Sequence, residues 1–196
     1  FVLGNIYDPV ISGQIQNKGL GMDVDIFDDN GKSIKNKKGE LVCKNIFPTV
    51  PLKFWNDNKY LKFKEAYFNK FKNIWHHGDY AEVKKSGGFI IYGRSDTTLN
   101  PGGVRLGTSE IYSEVEKFKE IKESLVIGQA WDNDIRIILF VIMSKNYKLN
   151  DDLIKKIKLQ IKINASPRHV PNKILNVKDI PRTKNGKIVE LAVKNI

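Results

Sequence analysis

Apolar and polar residues alternate with a period of two in several short stretches of the first fifty positions. Gly13-Gln14-Ile15-Gln16, Met22-Asp23-Val24-Asp25-Ile26-Phe27 and Lys38-Gly39-Glu40-Leu41-Val42-Cys43 carry the pattern, which predicts half-buried strands. Asp28-Asp29-Asn30-Gly31 predicts a turn between the second of these and Lys32-Ser33-Ile34. Strands this closely spaced predict a small antiparallel β-barrel or sheet. Phe47-Pro48-Thr49-Val50-Pro51 reads as extended chain, because each proline disfavours helix in the residue before it. Positions 54–71 predict a helix with Tyr60, Phe63, Tyr67 and Phe71 along one face. Such spacing favours core packing over a base-stacking platform. Lys85-Ser86-Gly87-Gly88 predicts a tight turn joining strands over 80–84 and 89–92.

Beyond Asp96 the period changes. Thr108 is placed to cap a helix carrying Ile111, Val115 and Phe118 at helical spacing, with Glu110 in its first turn. Near-continuous β-branched runs at 124–129 and 135–143 predict strands buried on both faces, joined by the loop Trp131-Asp132-Asn133-Asp134. Asn150 caps a second helix, with Leu153, Ile154, Ile157 and Ile161 inward and Lys155, Lys156, Lys158 and Lys162 outward. Ser166-Pro167-Arg168-His169-Val170-Pro171 predicts a rigid connector, and 174–177 a further short strand. The predicted class is therefore α+β: a β-rich part over 1–95, then a compact α+β domain over 96–196.

Composition narrows the function classes. No apolar run approaches the roughly 20 residues of a spanning helix, so no membrane insertion is expected. Phe1-Val2-Leu3-Gly4-Asn5 is no signal peptide and lacks Met, which predicts a chain cut from a longer one. The single cysteine, Cys43, excludes an internal disulfide, fits a reducing, cytoplasmic compartment, and predicts a buried structural thiol. The net charge of +11 is mostly lysine spread along the chain. It reads as solvated surface first; a basic nucleic-acid-binding domain is the rival from another class.

Three strings carry candidate chemistry. In Trp75-His76-His77-Gly78-Asp79, the adjacent histidines would point to opposite faces of a strand, so no metal site is expected. Asp79 is a suitable bidentate acceptor for a vicinal diol such as ribose. Gly93-Arg94-Ser95-Asp96-Thr97-Thr98-Leu99-Asn100-Pro101-Gly102-Gly103-Val104-Arg105 sets glycines beside arginines, which suits close backbone approach to a phosphate. Pro181-Arg182-Thr183-Lys184-Asn185-Gly186-Lys187 reads in isolation as a turn with a solvated lysine.

Taken together, these strings resemble the acyl-adenylate-forming enzymes, the family of the acyl-CoA synthetases. Gly19-Leu20-Gly21-Met22, Ser166-Pro167-Arg168-His169-Val170-Pro171 and Val189-Glu190-Leu191-Ala192-Val193-Lys194 extend the resemblance along essentially the whole chain. The resemblance implies that 1–95 is the distal β-rich part of a large AMP-binding domain and 96–196 a mobile C-terminal domain hinged at Asp96. It implies ATP, coenzyme A and Mg²⁺ as cofactors, with the magnesium ligand upstream, and acetoacetate as the acid. An adenylating ligase for another short acid is the alternative. It implies that Asp79, Arg94 and Arg105 bind nucleotide, that Gly102, Gly103 and Lys162 serve CoA, and that Lys187 is the catalytic lysine of adenylation. The family's phosphate loop has no counterpart here, so the isolated chain is expected to lack a complete active site.

Overall fold

The computed structural model describes residues 1–194. It divides into two compact units, Phe1–Ser95 and Asp96–Ile196.

In the first unit, β1 (Val2–Leu3) pairs antiparallel with β2 (Asn17–Lys18). A four-stranded antiparallel sheet then runs in the order β3 (Val24–Phe27), β4 (Gly39–Cys43), β5 (Trp75–Val83) and β6 (Phe89–Arg94). The β3–β4 connection turns where predicted, with Asp28 Oδ1 accepting from the amides of Asn30 and Lys32. The alternation at 13–16 does not make a strand: only Ile15 pairs, through a single bridge to Phe89. Val24, Ile26, Leu41, Ala81 and Phe89 form the core.

The helix expected over 54–71 shrinks to α1 (Leu61–Phe68). Asn56 and Tyr60 adopt φ of 55° and 57°, which breaks the helical path before it. The buried Asp57 carboxylate instead accepts from the amides of Lys62 and Phe63 at 3.2 and 2.8 Å, satisfying donors of the first turn. The aromatic face packs as expected in part. Tyr67 stacks on Trp75 at 3.8 Å, and Phe63 and Phe68 close around the same indole. Tyr60 stays exposed and Phe71 packs separately against Phe27. Cys43 is buried beside this cluster, as its sequence context predicts.

In the second unit, β7 (Ile121–Trp131) and β8 (Asp134–Met143) form a long antiparallel hairpin, and β9 (Lys173–Asn176) adds parallel to β8. The connection is tighter than the expected four-residue loop. Asp132 and Asn133 take φ of 51° and 58°, so pairing continues to Trp131 opposite Asp134. Asp and Asn tolerate that left-handed pair better than other non-glycine residues.

Both faces of this sheet are covered, which explains the unbroken apolar runs. Val126, Ile137, Leu139 and Val141 face α2 (Thr108–Val115) and α3 (Asp151–Asn164). Leu125, Ile127 and Ile138 face Ile180 and Val193, the latter on α4 (Glu190–Lys194). Asn150 caps α3 as predicted, its Oδ1 accepting from Leu153 N at 2.9 Å. Leu153, Ile157 and Ile161 form the buried stripe, each burial stabilising by about 1.5–3 kcal/mol. Lys158 is only half outward, donating to Asn172 O.

Thr108 is not the cap of α2. Gly107 occupies the cap position, Thr108 is the buried first helical residue, and Glu110 Oε2 accepts from Gly107 N. Phe118 lies beyond the helix in a turn closed onto Val115 O.

Candidate nucleotide and lysine sites

In the first unit the expected nucleotide residues meet at the end of the β5–β6 ladder. Asp79 and Arg94 are register partners, and Ser95 N closes the ladder on Gly78 O at 2.9 Å. A bulge beside Tyr80 re-aims this end of the pairing. Gly78 sits at φ +80°, and a Cβ there would lie 2.8 Å from Arg94 Nη2. The missing side chain lets the guanidinium lie across the strand, where Nη1 donates to His77 O at 3.3 Å and reaches Asp79 Oδ1 at 3.5 Å.

The other Asp79 oxygen lies 3.4 Å from His77 Nε2. Burial lowers the His77 pKa, against the opposing pull of the Asp79 carboxylate. Burial thus favours the neutral imidazole in this contact. Asp79 remains partly open, at 21% side-chain exposure, while Arg94 is 55% exposed. The result is a fixed carboxylate with accessible acceptor capacity beside a solvent-facing cation.

In the second unit, Leu99 and Leu106 are buried and exchange both backbone hydrogen bonds, pinning the base of an excursion over 100–105. At its tip Pro101–Gly103 makes a 3₁₀ turn with Gly102 and Gly103 at φ of 57° and 74°. Among the described residues nothing beyond the chain neighbours lies within 4 Å of a Cβ built at either glycine, so backbone angle, not crowding, calls for glycine there. Both Asp134 carboxylate oxygens accept from Gly102 N, at 2.8 and 3.1 Å. That bond, with a second from Ile135 N, holds the Asp134 carboxyl below its usual range. Asn100, Gly103, Trp131 and Asp134 line an open pocket of about 640 Å³. Half-buried Arg105 is oriented by its Nε bond to Thr98 Oγ1 at 3.0 Å.

Downstream of this loop, buried His169 bonds Ser166 Oγ at 2.8 Å through Nδ1. Its Nε2 lies 3.3 Å from the Glu110 oxygen that caps Gly107.

Lys162 and Lys187 stand on elements of their own. Lys162 is exposed in the last turn of α3, where a cation also suits the helix dipole. Lys187 is exposed on a hairpin closed by the Arg182–Ile188 bridge. Thr183 N donates to Lys187 O at 2.8 Å, Lys187 N donates to Thr183 Oγ1 at 3.1 Å, and Gly186 turns the chain at φ +84°. Arg182 ties the hairpin down, donating to Gly186 O at 2.9 Å and pairing with Glu123. The hairpin's backbone is braced while its lysine is presented outward.

Comparison with known proteins gives these sites a context. Over 196 residues the chain is 54% identical to the acetoacetyl-coenzyme A synthetase of Rhizobium meliloti (strain 1021), covering all of this chain and 30% of that protein. The chain is a homologue of the acetoacetyl-CoA synthetases. The acetoacetyl-CoA synthetase of Gallus gallus is 48% identical, again over the whole chain and 30% of the relative. The solved acetoacetyl-CoA synthetase from Streptomyces lividans superposes with a TM-score of 0.89 at 40% identity, over 95% of this chain and 28% of that one. A benzoate CoA ligase from Burkholderia xenovorans LB400, at 22% identity and a TM-score of 0.78 over 94% of this chain and 36% of that one, shares the fold. That fold is the one expected, α+β and of the acyl-adenylate-forming type. The chain spans about 30% of the length of the curated relatives it matches. No protein-family model matches it.

Sequence reasoning named Asp79, Arg94 and Lys187 but missed what holds them. Asp134 reads as a mere loop residue, and its grip on Gly102 follows from a turn two residues tighter than expected. Glu40 had a visible signal: it is the one acid in the string Gly39-Glu40-Leu41-Val42-Cys43, and that strand is buried throughout.

Proposed function

We propose that this chain is the C-terminal portion of an acetoacetate–CoA ligase. In the first half-reaction, acetoacetate attacks the α-phosphate of ATP, forming acetoacetyl-adenylate and releasing pyrophosphate. In the second, the CoA thiol attacks the acyl carbon and AMP leaves. Activation replaces a carboxylate oxygen, a poor leaving group, with AMP, a good one. End-to-end homology to acetoacetyl-CoA synthetases carries this reading. It does not favour the nucleic-acid-binding alternative, and it supports acetoacetate over another short acid.

The residues take roles that suit their settings. Asp79 accepts the two ribose hydroxyls, held in place by Arg94 on one oxygen and His77 on the other. Arg105 meets a nucleotide phosphate. Lys187 brings its ammonium to the carboxylate and α-phosphate, where negative charge develops during adenylation. Gly102 and Gly103 border the path of the pantetheine arm, and Lys162 meets a CoA phosphate. One domain serves both half-reactions by turning at Asp96, and a single residue absorbing a large φ/ψ change is an ordinary hinge. Mg²⁺ would offset the phosphate charge of ATP. Among the described residues no group of three or more His, Cys, Asp or Glu side chains fits a metal ion, so no step here is assigned to it.

The test is acid-dependent ATP–pyrophosphate exchange by the intact enzyme that carries this chain, over a panel of short acids. Acetoacetate should give the highest kcat/KM. In the same enzyme, Lys187→Ala should abolish exchange yet spare thioester formation from supplied acetoacetyl-adenylate. A stronger response to another acid would reassign the substrate, and equal loss of both half-reactions would remove Lys187 from a dedicated adenylation role.

A further inference from the structure

Glu40 lies on β4 among Leu41, Val42 and Cys43, at 1% exposure. A carboxylate so placed loses its hydration and must recover it from partners. Two of them are cationic or ionisable: Lys70 Nζ donates to Oε1 at 2.7 Å, and His76 Nε2 sits 2.9 Å from Oε2. Lys70 also holds Asp29 at 2.9 Å, so the ammonium bridges two acids. These contacts already account for the buried charge. A further partner is different in kind: the hydroxyl of Ser95 donates to the same Oε2.

Ser95 is the last residue of the first unit. It is held by its amide on Gly78 O of β5 and by its hydroxyl on Glu40 of β4. Arg94, immediately before it, is the register partner of Asp79. Asp96, immediately after it, is exposed.

We propose that Glu40 is a positioning residue that fixes the chain at Ser95, so that Arg94 stays with Asp79 while movement begins at Asp96. An apolar residue at position 40 would pack the strand as well or better, since a buried ion pair rarely adds net stability. What it could not do is hold a hydroxyl at the boundary. Without that hold, the end of β6 would follow whatever turns at Asp96, and the Arg94–Asp79 geometry would change with it. Lys70 and His76 act through Glu40, keeping its carboxylate aimed.

The inference rests on the ligase reading for its consequence, but its anchor is measurable without activity. Replacing Glu40 itself would strand Lys70 and His76, so the informative change is Ser95→Ala, with Ser95→Thr keeping the hydroxyl. Hydrogen exchange of the whole chain should show the Ser95 amide opening roughly tenfold faster in Ser95→Ala, the loss of one hydrogen bond to a charged acceptor. Ser95→Thr should lie within about twofold of the parent, and the amides of Leu41 to Cys43 should not respond to either change. In the intact enzyme, Ser95→Ala should shift the ratio of thioester formation to ATP–pyrophosphate exchange by about tenfold, and Ser95→Thr should restore it. Unchanged exchange at Ser95, or equal acceleration across β4, overturns the anchor. A faster Ser95 amide with both half-reactions changed in equal proportion makes the contact merely structural and overturns the positioning role. An intact enzyme inactive on every acid would instead overturn the ligase reading, while the exchange measurement would still decide the anchor.

Discussion

Gly78→Ala separates two penalties that the structure places at one atom. The first is backbone strain. At φ +80° an L-residue pays roughly 1–2 kcal/mol that glycine does not, whatever surrounds it. The second is the guanidinium: the new Cβ would stand 2.8 Å from Arg94 Nη2 and 3.2 Å from Cζ and Nη1. Those atoms end a flexible, 55% exposed side chain, so they move away instead of holding their ground. A forced rotamer costs about 0.5–1.5 kcal/mol, and the loosened contact to Asp79, at 3.5 Å and partly solvated, adds no more than about 1 kcal/mol. The total expected is about 1.5–4.5 kcal/mol, of which about 0.5–2.5 kcal/mol exists only while Arg94 is present.

A double-mutant cycle with Arg94→Ala reads that fraction directly. Urea unfolding would be followed by the fluorescence of Trp75, with Trp55→Phe and Trp131→Phe as background so that the indole buried in the first unit alone reports. Gly78→Ala should be about 0.5–2.5 kcal/mol milder in the Arg94→Ala background than in the parent. Costs equal within about 0.3 kcal/mol would mean that the guanidinium does not lie over Gly78. A neutral Gly78→Ala would refute the positive φ as well.

Three further expectations follow from named contacts. Asp79→Ala should weaken AMP binding to the intact enzyme by about 1.5–3 kcal/mol for each charged hydrogen bond lost, and an unchanged affinity by calorimetry would take Asp79 out of the nucleotide site. Tyr112→Phe should destabilise the second unit by about 1–3 kcal/mol in thermal unfolding. The phenol donates to Glu190 Oε1 at 2.5 Å and accepts from Val126 N at 3.0 Å, and burial together with the Glu190 carboxylate pushes its pKa far up; a variant as stable as the parent would show that these bonds add nothing. Burial works to raise the Glu114 pKa, but hydrogen bonds from Lys117, Gln160 and Asn164 outweigh it and hold the carboxyl below its ordinary value of 4.5. A depressed carboxyl stabilises the fold above its unfolded pKa and loses that stabilisation as pH falls through its folded pKa. Melting temperature should therefore fall less steeply below pH 4.5 in Glu114→Gln than in the parent, and parallel profiles would refute the assignment.

The second unit was the more legible half of the fold because its energetics are local and repetitive. Residues of β7 and β8 alternate between two covered faces, so the middles of the strands, at 125–127 and 137–143, are unbroken apolar runs and announce themselves. Asn150 marks the start of α3 with a side chain that does one job. The first unit gives weaker signals because its structure depends on distant partners. Positions 54–60 share the aromatic spacing of a helix, yet Asn56 and Tyr60 take left-handed backbone angles and Asp57 caps from outside. Thr108 is a good capping residue by type, but the Glu110 carboxylate reaches the Gly107 amide first and moves the cap back by one.

The candidate sites divide along the same line, and the division has a chemical logic. Asp79 and Arg94 sit in register on two adjacent strands, with Gly78 and the bulge setting their approach. On the proposed reading Asp79 holds the same two hydroxyls through both half-reactions, and a sheet of this kind suits that task because the ladder fixes its position. On the proposed reading, Lys187 serves one half-reaction and would be absent from the other. It stands on an exposed hairpin whose backbone is braced by Thr183 and Arg182, so the loop is tied to its own unit. The motif string singles out a lysine, because residue identity is written in the sequence. The bracing comes from Glu123, 59 positions away, and Ser95 meets Glu40 across 55 positions. Spacing along the chain carries no trace of contacts that long, whereas the buried acid in an apolar strand does: Glu40 is the kind of local inconsistency that points to a role beyond packing.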